Sequence, residues 1–251
     1  MTEGIDYYDR RRTERDDLVR DGAQFADYLA PGAIVDSAHP SIVAWTRDVV
    51  GDATDEKSRA LRLYYAVRDR IRYDPYNTPM LRQAYLASTC LAKGQGYCVN
   101  KAGLLAAVLR ASGIAARLGY ADVRNHMTTK RLTERMGTDT FYYHGYVDVW
   151  LGGRWVKATP AFNRELTERF GLKPLEWDGE TDSIYHPFDL GGRRHMQYLA
   201  YRGTFADIPF DEIRAAFRAY YPHMHRNDEA VAEGGDFAAE GAMEAAAARR
   251  V

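Results

Sequence analysis

Apolar residues recur every three or four positions through the first half of the chain, which is the spacing of amphipathic helices. The clearest stripe follows Thr54, a residue suited to the N-cap position, and consists of Ala60, Leu63, Tyr64, Val67 and Ile71. Similar patterns predict helices over residues 11–30, 40–50, 98–112 and 210–221. The first half of the chain is therefore expected to be mainly helical.

The pattern changes after residue 113, where β-branched and aromatic residues dominate. Residues 114–123 and 141–151 are predicted strands. Gly152-Gly153 then predicts a two-residue hairpin loop that leads into a third strand over residues 154–159. Helices followed by a run of antiparallel strands predict an α+β domain.

The length of 251 residues suits one large domain with appendages. We expect an N-terminal helical region (1–55), a core that carries the chemistry (56–165), a C-terminal extension (166–227) and a tail (228–251). The tail is rich in Ala, Glu and Gly, a composition that predicts disorder or a weak helix.

Overall charge excludes the most obvious binding classes. The 34 basic and 35 acidic residues nearly balance, so the sequence predicts no nucleic-acid or membrane partner. No stretch is long and apolar enough to span a bilayer, and the first residues lack an apolar signal segment, which favours a cytoplasmic protein. Cys90 and Cys98 are then expected to be free thiols, and no His or Cys spacing predicts a metal site or another cofactor. No sequence feature indicates an oligomeric state.

Cys98 lies where the glycine-rich turn 94–96 runs into the helix predicted from residue 98. A thiol there can be unusually acidic, because the unpaired N–H groups and the dipole of the helix stabilise the thiolate. A nucleophilic cysteine also needs a base, usually a histidine that a third group orients. His144 is the best candidate because it lies in a predicted strand bounded by a clear hairpin loop. Strict alternation would put its side chain on the same face as Tyr142 and Tyr146.

The hairpin register decides which side chains can orient His144. A two-residue loop pairs Asp148 with Lys157 and leaves Asp148 roughly 13 Å from His144 along the strand. Thr159 is instead a diagonal neighbour of His144, with Cβ atoms roughly 7 Å apart. A hydroxyl can accept a hydrogen bond from an imidazole N–H but supplies no negative charge. Asn163, a little further along the chain, is a second candidate through its side-chain carbonyl.

Three segments taken together resemble the transglutaminase-like superfamily: Gly96-Tyr97-Cys98-Val99-Asn100-Lys101-Ala102, the run LRASGIAAR at 109–117, and Tyr143-His144-Gly145-Tyr146-Val147-Asp148-Val149 followed by Gly153-Arg154-Trp155-Val156. The resemblance covers about residues 60–165. It implies a papain-like α+β fold in which the nucleophile, at a helix N-terminus, packs against an antiparallel sheet. It also implies Cys98 as nucleophile and His144 as general base. The family pattern has an aspartate where this chain has Thr159.

The implied chemistry is cofactor-independent acyl transfer. Cys98 would attack an amide or ester carbonyl, His144 would protonate the leaving group, and water or an amine would resolve the thioester. The backbone N–H of Cys98 and the side chain of Gln95 are the predicted oxyanion donors. A protease or amidase acting on a peptide or small acyl compound is the leading hypothesis. An amide-forming acyltransferase and an inactive binding module are the alternatives, and Thr159 favours the latter.

Overall fold

Helices precede strands along most of the chain, as the α+β prediction requires. A computed structural model describes residues 18–77, 79–125, 128–184, 196–221, 223–224 and 235–248. Its elements, in chain order, are α1 (Pro40–Val50), α2 (Glu56–Arg70), β1 (Arg72–Tyr73), α3 (Ala87–Lys93), β2 (Gln95–Gly96), α4 (Cys98–Ala111), β3 (Ala116–Asn125), α5 (Lys130–Met136), β4 (Thr140–Leu151), β5 (Arg154–Ala158), α6 (Arg164–Phe170), β6 (Met196–Phe205), α7 (Phe210–Tyr220) and α8 (Phe237–Ala248). Within those ranges, no helix is long and apolar enough to cross a membrane.

The predicted helix boundaries are accurate to within about two residues for α1, α2 and α4. Asp55, rather than Thr54, caps α2, and its side chain accepts the Ser58 N–H at 2.8 Å. After α4, Gly113 has a φ of 81°, a left-handed conformation that glycine adopts without steric cost. Local sequence signals therefore predict both ends of α4.

The helix predicted over residues 11–30 is wrong in its described part, which forms only a 3₁₀ turn at Phe25–Tyr28. Arg20 donates its N–H to Thr204 O at 3.0 Å, and the Thr204 N–H donates to Leu18 O at 2.8 Å. These bonds tie the segment to β6. Pairing with a strand so distant in sequence outweighs the local pattern of apolar residues, and periodicity cannot detect it.

Four antiparallel strands form one sheet in the order β5-β4-β3-β6. The predicted hairpin register is confirmed, with Leu151 opposite Arg154, Trp150 opposite Trp155 and Asp148 opposite Lys157. Gly152 and Gly153 have φ values of 58° and 81°, and positive φ at both loop positions is what a type I′ turn requires. These pairs define the register of the β4–β5 hairpin.

The core lies between α4 and this sheet. Every residue from Cys98 to Arg110 is buried, as expected for a central helix surrounded by other elements. Lys101, a buried residue of α4, donates from its Nζ to Arg68 O at 2.9 Å and to Ile71 O at 2.6 Å. These bonds join the end of α2 to the first turn of α4, and burial lowers the pKa of Lys101 to about 7. The first turn of α4, which begins at Cys98, is thus anchored to the end of α2.

Part of the tail, for which composition predicts disorder or a weak helix, forms α8. Phe237 at its start is buried, with ring centroids 5.6 Å from Tyr73 and 5.3 Å from Phe170. This end of the tail therefore packs on α6 and on β1. The boundaries predicted between the four regions of the chain stay predictions.

Candidate active site

Cys98 is the first residue of α4 and is only 4% exposed. The backbone N–H groups of Gly145, Val99 and Cys98 itself act to lower the pKa of its thiol. Burial has the larger effect and raises that pKa to about 11. The acidic thiol predicted from the helix position is therefore wrong for this structure, because desolvation outweighs the helix N-terminus.

Gly145 brings strand β4 directly against the start of α4. A Cβ atom at Gly145 would lie 3.3 Å from a ring carbon of Tyr120 and 3.4 Å from both Ala102 Cβ and the Cys98 carbonyl. Only glycine fits here without displacing a neighbour. His144, the preceding residue, is 4% exposed and pairs with Ala121 in β3. The structure thus packs Gly145, the residue after His144, against the backbone of Cys98.

A β-bulge precedes His144. Ala121 pairs with His144 and Val123 with Phe141, so two residues of β4 stand opposite the single residue Asp122. Within the bulge, Tyr143 has a φ of 55°, an uncommon conformation for a residue with a side chain. Strict alternation therefore fails at this point, and the prediction that Tyr142 shares a face with His144 is wrong.

Asp122 stabilises this bulge. No sequence pattern identifies it as a functional residue. Its buried carboxylate accepts the Tyr143 N–H at 3.2 Å and a forked pair of bonds from Arg202, the shortest at 2.6 Å. The guanidinium of Arg202 also lies 5.2 Å from the centroid of the Tyr143 ring. The Tyr143 hydroxyl in turn donates to Glu212 at 2.9 Å. Contacts with Arg202 of β6 and Glu212 of α7 therefore hold the backbone that precedes His144.

Thr159 follows Ala158, the last residue of β5, which pairs with Val147. Its diagonal position relative to His144 stays a prediction. Thr159 is 1% exposed, and its Oγ1 has no hydrogen-bond partner among the described residues. Its carbonyl accepts a bond from the Tyr64 hydroxyl at 3.2 Å. The backbone of Thr159 is anchored, whereas its hydroxyl bonds to no described residue.

Asn163 is the N-cap residue of α6. Its Oδ1 accepts the Tyr73 N–H at 3.3 Å. The carbonyl expected to orient His144 is therefore already engaged by β1. A role for Asn163 at the imidazole stays a prediction.

Residues 43–160 match the model of the transglutaminase-like superfamily. The matched segment runs from α1 to the end of the β4–β5 hairpin and contains Cys98, His144 and Thr159 at the positions described above. Residues 43–160 belong to the transglutaminase-like superfamily. This transglutaminase-like core has the expected papain-like arrangement, in which a cysteine at a helix N-terminus packs on an antiparallel sheet.

Three solved structures are similar to the chain. They are a "Putative Cysteine Protease" from Cytophaga hutchinsonii (18% identity, TM-score 0.43, 60% of this chain and 47% of that one), a "Putative Protease" from Parabacteroides distasonis (15%, 0.37, 53% and 26%) and the arylamine N-acetyltransferase from Mycobacterium abscessus (16%, 0.36, 53% and 47%). The chain thus spans between about a quarter and a half of the length of these proteins. No curated protein shows significant sequence similarity to it.

Gln95 lies apart from Cys98 within the transglutaminase-like core. Its Nε2 donates to Asp74 at 3.3 Å, and its Oε1 accepts a bond from Arg72. Gln95 lines a small pocket with Asp74 and Cys90, and Cys98 is not part of that pocket. The structure therefore does not bring Gln95 and the thiol together, and its oxyanion role stays a prediction.

Asp148 is fully buried between two cations rather than exposed in a surface pair. Arg117 Nε lies 3.0 Å from one carboxylate oxygen and Lys157 Nζ lies 3.7 Å from the other. Burial raises the pKa of Asp148, and the two cations oppose that shift. Asp148 therefore serves the hairpin between β4 and β5, in keeping with its predicted distance from His144.

A pocket opens from Cys98 to the solvent. Its remaining described lining consists of apolar and aromatic side chains: Tyr73, Pro75, Tyr97, Leu132, Met136, Phe141, Tyr142, Phe217, Tyr221 and Met224. The last three lie outside the segment that matches the superfamily. Sequence patterns predict the pocket walls only as the broad ranges 73–95, 120–140 and 160–200, because the lining comes from five separate parts of the chain.

Both cysteines are free thiols in the structure. Among the described residues, no group of three or more His, Cys, Asp or Glu side chains is arranged to hold a metal ion. The chemistry that this site can support is that of a buried thiol, a buried histidine next to the glycine that packs against the start of α4, and backbone N–H donors.

Proposed function

We propose that the protein is a thiol-dependent acyl-transfer enzyme, in which Cys98 forms a thioester with an acyl group released from an amide or ester. One observation carries the proposal. In a transglutaminase-like core, Cys98 stands at the N-terminus of α4, and Gly145, the residue after His144, packs against it, since a Cβ atom at Gly145 would lie 3.4 Å from the Cys98 carbonyl oxygen. Nucleophile and base are thus held by the two most central elements of the fold.

Proton transfer accompanies the attack on the carbonyl. Since burial raises the pKa of Cys98 to about 11, the resting group is a thiol at neutral pH. His144 removes its proton as the sulfur attacks, and then gives that proton to the leaving group. Positioned acid–base catalysis of this kind contributes a factor of roughly 10²–10⁴ in rate.

The developing oxyanion needs donors that already point at it. The backbone N–H of Cys98, at the N-terminus of α4, is the first of these. Gln95 is the proposed second donor, and it would have to give up its bond to Asp74 to reach the substrate. Gln95→Ala tests this directly, since losing one such donor typically costs about 10²–10³ in rate.

Hydrolysis of a peptide-like bond, as by a protease or amidase, is the proposed overall reaction. An amine acceptor in place of water would make the enzyme an amide-forming acyltransferase through the same residues. Incubation with an acyl donor, with and without a primary amine, separates the two reactions by their products. Formation of the free acid at an unchanged rate when amine is added supports hydrolysis.

The hydroxyl of Thr159, which has no partner among the described residues, favours a second candidate, a binding module that keeps the fold without the activity. Labelling with iodoacetamide at pH 7 distinguishes the two in a Cys90→Ser background. The enzyme hypothesis predicts that Cys98 reacts faster than an unactivated thiol and that His144→Ala removes this advantage, leaving a rate set by the raised pKa of the thiol. If the rate equals that of an unactivated thiol and does not depend on His144, the enzyme hypothesis fails.

A further inference from the structure

The apolar pocket at Cys98 has no role in the chemistry proposed above. Its described lining holds no Asp, Glu, Lys or Arg side chain, so it offers a charged group no ion partner. A charged group that entered it would lose its hydration without compensation. The pocket therefore discriminates against charge by desolvation.

Two tyrosines of the pocket, Tyr97 and Tyr221, have hydroxyl groups that are bonded within the protein. The Tyr97 hydroxyl donates to the Tyr85 hydroxyl at 2.9 Å, within the core. The Tyr221 hydroxyl donates to Thr140 O at 3.1 Å and accepts the Tyr142 N–H at 2.6 Å. These polar ends are already satisfied by the protein, which leaves the ring faces and edges to contact a ligand.

The position of the pocket identifies which half of a substrate enters it. Cys98 lines the pocket whereas His144 does not. In the proposed reaction His144 protonates the leaving group, so the leaving group must lie beside the imidazole. The acyl half, which becomes bonded to sulfur, is the part that faces the pocket.

We infer that Cys98 accepts an uncharged apolar acyl group, aromatic or branched aliphatic, and that the pocket closed by α7 selects it. The inference rests on the proposed function and adds the class of substrate to it. Phe217 and Tyr221, at the end of α7, lie outside the superfamily segment. The transglutaminase-like core thus supplies the reaction, and the C-terminal extension supplies part of the specificity.

Three p-nitrophenyl esters test the inference: the hydrocinnamate, the acetate and the negatively charged hemiglutarate. In each, a C–S bond forms at Cys98, the C–O bond to nitrophenolate breaks, and the thiol proton passes to His144. The burst of nitrophenolate gives the acylation rate. We expect the hydrocinnamate to react at least about tenfold faster than the acetate, and the hemiglutarate to react more slowly than the acetate.

Met136→Lys places a cation in the pocket, because Met136 is 3% exposed and lines it. We expect the ratio of hemiglutarate to hydrocinnamate rates to rise at least about tenfold. Met243→Lys is the matched control, since Met243 lies on α8 and is 66% exposed. If Met136→Lys does not fold, Phe217→Leu replaces it, and this variant should lower the ratio of the hydrocinnamate rate to the acetate rate.

Two failures are distinguishable. If all three esters acylate Cys98 at similar rates, or the hemiglutarate is fastest in the unmodified protein, the apolar acyl pocket is wrong and the proposed function stands. If no ester acylates Cys98, or the rates do not depend on His144, the proposed function fails and the inference falls with it.

Discussion

At the scale of single residues, the reactivity of Cys98 is decided by two opposing effects. A helix N-terminus stabilises a nearby anion by about 0.3–1 kcal/mol, and by up to about 2 kcal/mol in partly buried geometries. Burial raises the pKa from 9.0 to about 11, net of the backbone hydrogen bonds, which corresponds to roughly 3 kcal/mol against the thiolate. Desolvation is the larger effect, so the position of a cysteine in the sequence overstates its acidity.

The pH dependence of labelling follows from this balance. In His144→Ala, the thiolate fraction alone sets the rate, because no base assists. The pKa of the folded protein is raised, so we expect iodoacetamide labelling of Cys98 to rise about tenfold per pH unit from pH 7 and to level off near pH 11. Cys90→Ser in the same background removes the second thiol. A plateau already present below pH 9 would contradict the dominance of burial.

Thr159→Val tests the buried hydroxyl that is predicted to orient His144. Because the Oγ1 is buried and bonds to no described residue, we expect the free energy of unfolding to stay the same or to rise by about 1 kcal/mol. Urea denaturation measures it. A loss of more than about 1 kcal/mol would mean that the hydroxyl has a partner. A fall in Cys98 acylation at unchanged stability would assign it to the orientation of His144.

At the scale of elements, the bulge before His144 determines how β4 reaches the site. A left-handed Tyr143 costs of order 1–3 kcal/mol and persists only where its surroundings over-determine it. Asp122 and Arg202 provide those surroundings from β3 and β6. The edge strand of the sheet therefore supports the backbone of the candidate base.

Asp122→Ala should therefore be destabilising. It leaves Arg202 and the Tyr143 N–H without their acceptor, and we expect a loss of about 2–4 kcal/mol in urea denaturation. Asp139→Ala is the matched control, because Asp139 pairs with Arg124 at 3.1 Å while 48% exposed. The control should change stability by less than about 0.5 kcal/mol. Equal effects of the two substitutions would contradict a special role for Asp122.

The same elements show how far the sequence can predict. The β4–β5 register follows from Gly152-Gly153, because a two-residue loop leaves a single pairing. The bulge could not be predicted, since the consecutive tyrosines Tyr142 and Tyr143 give no sign of which one breaks the alternation. β6 was missed for a related reason: its partner β3 lies far away along the chain, and its own sequence is mixed.

At the scale of the whole molecule, the segments after residue 165 complete the site that the superfamily core begins. β6 extends the sheet, α7 closes the pocket at Cys98, and α8 covers Tyr73 from outside. Sequence patterns predict the core because its signals are local. They do not predict the pocket, because its walls come together only in the folded chain.

Phe237→Ala tests how firmly α8 belongs to the fold. The side chain is 4% exposed and packs on Tyr73 and Phe170, so we expect a loss of about 3 kcal/mol in the free energy of unfolding. Met243→Ala, at a residue 66% exposed on the same helix, should cost less than about 0.5 kcal/mol. If Phe237→Ala has no larger effect than this control, α8 does not contribute to the folded core.

Mass spectrometry of the trapped thioester is the most direct test of Cys98–His144 chemistry. The protein is mixed with p-nitrophenyl acetate, which is small enough to react without filling the apolar pocket, and quenched in acid. We predict an acetyl adduct that maps to Cys98, is absent in Cys98→Ala, and forms at least about 100-fold more slowly in His144→Ala. An adduct on Cys90, or one that forms equally fast without His144, would contradict the account.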